Sequence, residues 1–107
     1  MTTENFANED DERKAKLVGE TSRISWRDLE VFYAKGQVVE VDASLDLIEA
    51  ALAVSKDDSE KVKQWMSRKM VGPVAPETAT KWHEDQREVW AVVVAPWVLV
   101  QDKELAQ

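Results

Sequence analysis

The groups best placed by type and spacing for chemistry in this chain are a set of carboxylates and a single imidazole. Asp42, Asp46 and Glu49 form the densest carboxylate set, and His83 is the one histidine. On a helix Asp46 and Glu49 are i, i+3 neighbours, and Asp42 falls just before the first turn. Three hard oxygen donors so placed could hold Mg²⁺ or Ca²⁺. Their spacing does not match the calcium loop of an EF-hand. Helix capping and dipole complementarity account for Asp42 and Asp46 without an ion. Metal binding is therefore the weaker alternative, and no metal or cofactor is expected. His83 lies in Trp82-His83-Glu84-Asp85, and its helical neighbours are Ala79, Thr80, Gln86 and Arg87. None is a carboxylate or a second histidine, so no HExxH-type pair exists. Trp82 and His83, with Trp97, stand as candidate walls of a small-ligand pocket and not as a catalytic pair.

Other chemistry is excluded outright. The chain has no cysteine, which removes disulfides, thiolate metal sites and cysteine nucleophiles. Phosphate-binding GxxxxGK[ST], dinucleotide-binding GxGxxG and the GxSxG nucleophile elbow are all missing. Lys61, Lys63, Arg68 and Lys69 surround Trp65, a pattern that single-stranded nucleic acid could use. Lys61 and Lys63 are about 200° apart on a helix, however, so these charges do not share a face. A solvated surface is the better reading, and nucleic acid is not an expected partner. No catalytic residue is assigned, and the balance leans against an enzyme.

The net charge of −7 is unevenly spread. Residues 1–12 hold Glu4, Glu9, Asp10, Asp11 and Glu12 and no base, which leaves 16 acids against 14 bases in the rest. The reading is an acidic, flexible N-terminal tail over 1–12, one compact domain over 13–102, and a C-terminal tail over 103–107. The N-terminus has no basic segment followed by an apolar one, so it is not a signal peptide. A cytoplasmic location is expected.

The elements that must position these residues are legible from periodicity. A helix is expected from about Glu9 to Thr21. Ser25, with Asp28 three residues on, caps a second helix carrying Trp26, Leu29, Phe32 and Tyr33 on one stripe, and Gly36 ends it. Gln37–Val41 reads as a strand. Ser44 caps a third helix through Leu45, Ile48 and Leu52. Asp57-Asp58-Ser59 caps a fourth, with Val62, Trp65, Met66 and Lys69 along one side. Met70–Val74 is extended, and Pro76 opens a fifth helix.

The run Val89–Val100 has twelve residues without a charge, six of them valine. That is too short to span a membrane as a helix, Pro96 would break a helix, and β-branched valine favours a strand. As one long strand it would place Trp90, Val92, Val94, Val98 and Val100 on one face. Val89, Ala91, Val93, Ala95, Trp97 and Leu99 would occupy the other. Both faces are apolar and should be covered. Pro96 marks a bend, bulge or edge, and a one-residue bulge would return Trp90 and Trp97 to a common face.

The string VVVAPWVLVQ, with Val41-Asp42 before Leu45-Asp46-Leu47, and Ile24-Ser25-Trp26 before Leu29 and Gly36, resembles the bacterial family designated domain of unknown function 2288. The resemblance covers roughly residues 14–102. It implies a small intracellular bacterial domain, and it carries over no activity and no catalytic residue.

The expected fold is thus α+β, about five helices on a small sheet of two or three strands, with a long C-terminal strand at its centre. The expected function is a non-catalytic cytoplasmic protein-interaction domain. Trp90 and Trp97 are its partner-binding candidates, since tryptophan is enriched at interface hot spots. Self-association through the apolar run, as a homodimer, is the simplest form. The alternative is a small-ligand or metal-binding protein using the two sites above. No membrane partner is expected.

Overall fold

The computed structural model describes residues 2–103, with side chains from Glu9 onward. Five helices pack on a five-stranded mixed sheet, in the order α1 (Thr2–Glu20), β1 (Ser22–Ser25), α2 (Trp26–Ala34), β2 (Val38–Val41), α3 (Leu47–Ser55), α4 (Ser59–Ser67), β3 (Val71–Pro73), α5 (Pro76–Glu84), β4 (Glu88–Val94) and β5 (Trp97–Gln101). The strand order is β1-β4-β5-β2-β3. All neighbours are antiparallel except β2 and β5, which run parallel.

The α+β class and the five helices stand as expected. The sheet is larger than the two or three strands read from the sequence, for two reasons. First, Val89–Val100 is not one long strand. It reverses over Ala95-Pro96, whose peptide bond is cis, and β4 pairs with β5 as a two-residue hairpin from Val94↔Trp97 to Trp90↔Gln101. Proline in a tight turn takes the cis form far more readily than other residues. Residues directly opposite in a hairpin share a face, so the reversal, not a bulge, brings Trp90 and Trp97 to the same side. Second, Ser22–Ser25 is a strand, pairing with Ala91–Glu88. Ser25 sits at the N-cap position of α2, yet its side chain caps nothing. The Trp26 N–H instead donates to Arg87 O at 2.8 Å, continuing the β1–β4 ladder.

Each face of the sheet carries its own core, as two apolar faces require. On one, Trp26, Leu29 and Trp82 of α2 and α5 cover Val38, Val89, Ala91, Val98 and Val100. On the other, Leu17 of α1 and Leu47, Ala51 and Leu52 of α3 cover Val41, Val92 and Leu99. Trp26 is fully buried and packs edge-on to Trp82, ring centres 5.0 Å apart, and to Tyr33 at 5.4 Å. Such edge-to-face pairs suit the aromatic quadrupole.

The helix ends follow local chemistry. Asp46, not Ser44, caps α3, accepting from Ile48 N at 2.8 Å and Glu49 N at 3.3 Å. Ser44 donates instead to the Asp42 carboxylate in the preceding turn. Asp58 caps α4, and Pro76 opens α5. Gly36, with φ +73, follows α2 in the left-handed conformation glycine favours.

α1 begins at Thr2, so the acidic segment set apart over 1–12 is helical up to its second residue. Asp10 within it meets Lys56 at 3.1 Å. Beyond Lys103, the C-terminal tail read at 103–107 lies outside the described residues.

Candidate functional site

The residues first singled out for chemistry are dispersed. Asp42 is held by Ser44, Asp46 caps α3, and Glu49 pairs with Lys14 at 2.7 Å. The Ser44 hydrogen bonds lower the Asp42 pKa, and the Glu49 carboxylate raises that of Lys14. Among the described residues no three histidine or carboxylate side chains form a group that could hold a metal ion. Asp42, Asp46 and Glu49, the weaker metal-binding alternative, thus each have a separate structural partner.

Trp82, His83 and Trp97 do not share a pocket either. Trp82 is 3% exposed in the core under α2 and α5. Its neighbour His83 projects from α5 to Glu30 of α2, Nδ1 to Oε2 2.8 Å. Trp97 lies two residues before Leu99, on the opposite face of the sheet. The ring of Trp90, on Trp97's side, is covered by the Arg23 guanidinium at 5.4 Å, a cation–π contact. It packs on the core and leaves Trp97 as the exposed member of the pair.

Around Trp97 the chain builds an apolar groove of about 580 Å³. Val39 of β2 and Leu99 of β5 line it, with Val62 and Met66 of α4, Pro73 of the edge strand, and Trp97. Leu99 is wholly buried, Met66 is 51% exposed and Trp97 40%. The groove exists because α4 lies over the end of the sheet beyond α3 without burying a single residue of its own. Its stripe of Val62, Trp65 and Met66 was legible in the sequence as an apolar helix face. That nothing further would cover this face was not, because coverage depends on where β3 ends the sheet. Asp57 and Asp58 are the charged residues lining the groove. Asp57 follows α3 with φ +59, and Asp58 is held to Lys61 N as the cap of α4.

A second, polar cleft of about 530 Å³ opens on the α5 side, lined in part by Glu40, Lys81, Trp82, Arg87 and Asp102. Arg87 Nε donates to Asp102 Oδ1 at 2.7 Å. Burial, reinforced by the nearby charges of Asp102 and Asp42, pushes the Glu40 carboxyl pKa above its ordinary range. Glu40 was not marked by the sequence, since one acid in a valine strand carries no spacing signal.

No helix among the described residues is long and apolar enough to cross a membrane. Nothing among the curated proteins matches the chain. A solved structure described as "NMR solution structure of PA1075 from Pseudomonas Aeruginosa" is 45% identical, with a TM-score of 0.76 over 87% of this chain and 86% of that one. The sequence profile of the family "Protein of unknown function (DUF2288)" matches residues 12–102. With most of its length, both faces of its core and its groove inside that match, the chain belongs to the DUF2288 family.

Proposed function

We propose that this protein is a non-catalytic interaction domain of the cytoplasm, and that the groove at Trp97 and Met66 receives an apolar segment of a protein partner. One observation carries the reading. In a small domain with a core on each face of its sheet, α4 turns Trp65 onto one of those cores and leaves Met66 exposed beside an exposed Trp97. Exposed apolar surface of this kind marks interaction sites, and tryptophan dominates interface energetics. The two aspartates at the groove favour a segment with a lysine or arginine beside its apolar residues.

The test is a titration of isotope-labelled protein with a synthetic amphipathic helix bearing leucine and phenylalanine on one side and lysines beside them. Amide shifts are expected at Val39, Val62, Met66 and Trp97. Trp97→Ala should weaken the interaction by about 2 kcal/mol. Shifts confined to the Glu40 and Asp102 cleft, or no shifts at all in a protein that is monomeric under the same conditions, would refute the assignment.

A further inference from the structure

We infer that the occupant of the groove is a second copy of this chain, in a two-fold dimer. Each protomer places Val31 and Phe32, near the C-terminal end of α2, in its partner's groove, with Lys35 opposite the partner's acidic pair at positions 57 and 58. This inference rests on the docking reading above and names its partner.

Three observations converge. The first is what the chain leaves exposed. Besides Met66 and Trp97, α2 keeps Val31 at 54% and Phe32 at 37% exposure. Val31 is turned away from the face that holds Trp26 and Leu29, and Phe32 lies at the border of that face with its ring partly in solvent.

The second is charge. The groove presents Asp57 and Asp58 and no cation. On α2, Arg27, Val31 and Lys35 follow one another at i, i+4 and i+8, one line along the helix surface with the apolar residue between two bases. Among the described residues neither Arg27 nor Lys35 forms an ion pair within the chain, and neither does Asp57 or Asp58. Along the Arg27-Val31-Lys35 line, though not at Asp28 one turn before Phe32, the surface complements the apolar and acidic groove.

The third is adjacency. Gly36, two residues past the end of α2, itself lines the groove. The Gln37 N–H donates to Phe32 O at 3.0 Å, closing the C-terminal end of α2 just before the chain enters β2. α2 packs on one face of the sheet and the groove opens on the other, and the two come together at the edge where Gly36 lines the groove. Two equal contacts form together about a two-fold axis, and the pair closes instead of growing into a filament.

Sedimentation equilibrium of the full chain, from about 5 to 500 µM at low salt, tests the dimer over the range of weak to moderate affinity. A monomer–dimer equilibrium is expected. Lys35→Glu, an exposed change that spares the core, should weaken it by about tenfold or more, because like charges then face each other. Combining Lys35→Glu with Asp57→Lys should recover most of that loss. Nuclear Overhauser contacts in an isotope-mixed sample should join Phe32 of one copy to Met66 or Trp97 of the other. A chain that stays monomeric throughout, a dimer indifferent to Lys35→Glu, or an open series of larger species would each overturn the inference. A monomer that still binds the basic peptide in its groove defeats the dimer alone. Failure of both defeats the docking reading with it.

Discussion

Single side chains tie the two cores to their surroundings. Gln101 is a polar residue with only 4% exposure, and its amide donates to Asp42 O at 2.8 Å and Leu45 O at 2.6 Å. It thereby joins the last strand to the β2–α3 connection. Gln101→Leu removes both bonds, leaving Asp42 O with the Leu45 N–H and Leu45 O without its side-chain donor, and is expected to cost about 1–3 kcal/mol in urea denaturation. Glu40 works in the other direction. A carboxyl whose pKa is raised on folding binds its proton more tightly in the native state. Its contribution is therefore harmless at low pH, and stability is lost as pH rises from the unfolded value through the raised one. Glu40→Gln should match the native protein near pH 4 and exceed it near pH 7. The difference should stay below about 1 kcal/mol, since a half-exposed charge is screened. Urea midpoints at the two pH values read the sign directly. Neither residue had a sequence signal, because a buried hydrogen bond across 59 positions leaves no spacing to find.

The helices α2 to α5 are each nine residues long, and each is followed by a left-handed residue: Gly36, Asp57, Lys69 and Gln86. Only the first is a glycine. Lys69 and Gln86 adopt a conformation that disfavours a Cβ by about 1 kcal/mol or more. Gln86→Gly is expected to raise stability by about 0.5–1 kcal/mol, partly offset by the freer unfolded chain; thermal unfolding measures it. The helix periodicities, the Asp58 cap, Pro76 and the Gly36 stop were all readable locally. Two things were not. Ser25 carries the chemistry of a cap, yet backbone pairing with Glu88 claimed it for a strand. Ala95-Pro96 lacks the glycine or asparagine that announces a hairpin, so one apolar run concealed two strands.

The molecule as a whole sets its acidic end against a nearly neutral body. Asp10 and Lys14 of α1 reach Lys56, just past α3, and Glu49 of α3 through exposed ion pairs, while Leu17 is the buried residue of α1 among the described side chains. Such pairs contribute about 0–1 kcal/mol. A chain starting at residue 13 should therefore keep the fold and lose no more than about 1 kcal/mol by urea denaturation. Its net charge would change from −7 to −2, which a native gel shows. A loss of several kcal/mol would instead make the first turns of α1 part of the core. In the inferred dimer Lys35 faces the partner's acidic pair at positions 57 and 58, so added salt should weaken it.

Composition, periodicity and capping chemistry are properties of neighbouring residues, and from them follow the α+β class, the five helices and the extended valine run; the family followed from the resemblance of its motifs. Strand number, the common face of Trp90 and Trp97, the separation of Trp82 from Trp97 and the open side of α4 depend on which distant backbones pair. Hydrogen-bonded pairing of strands is set by the fit of the whole sheet against its helices, and no local stretch contains that information.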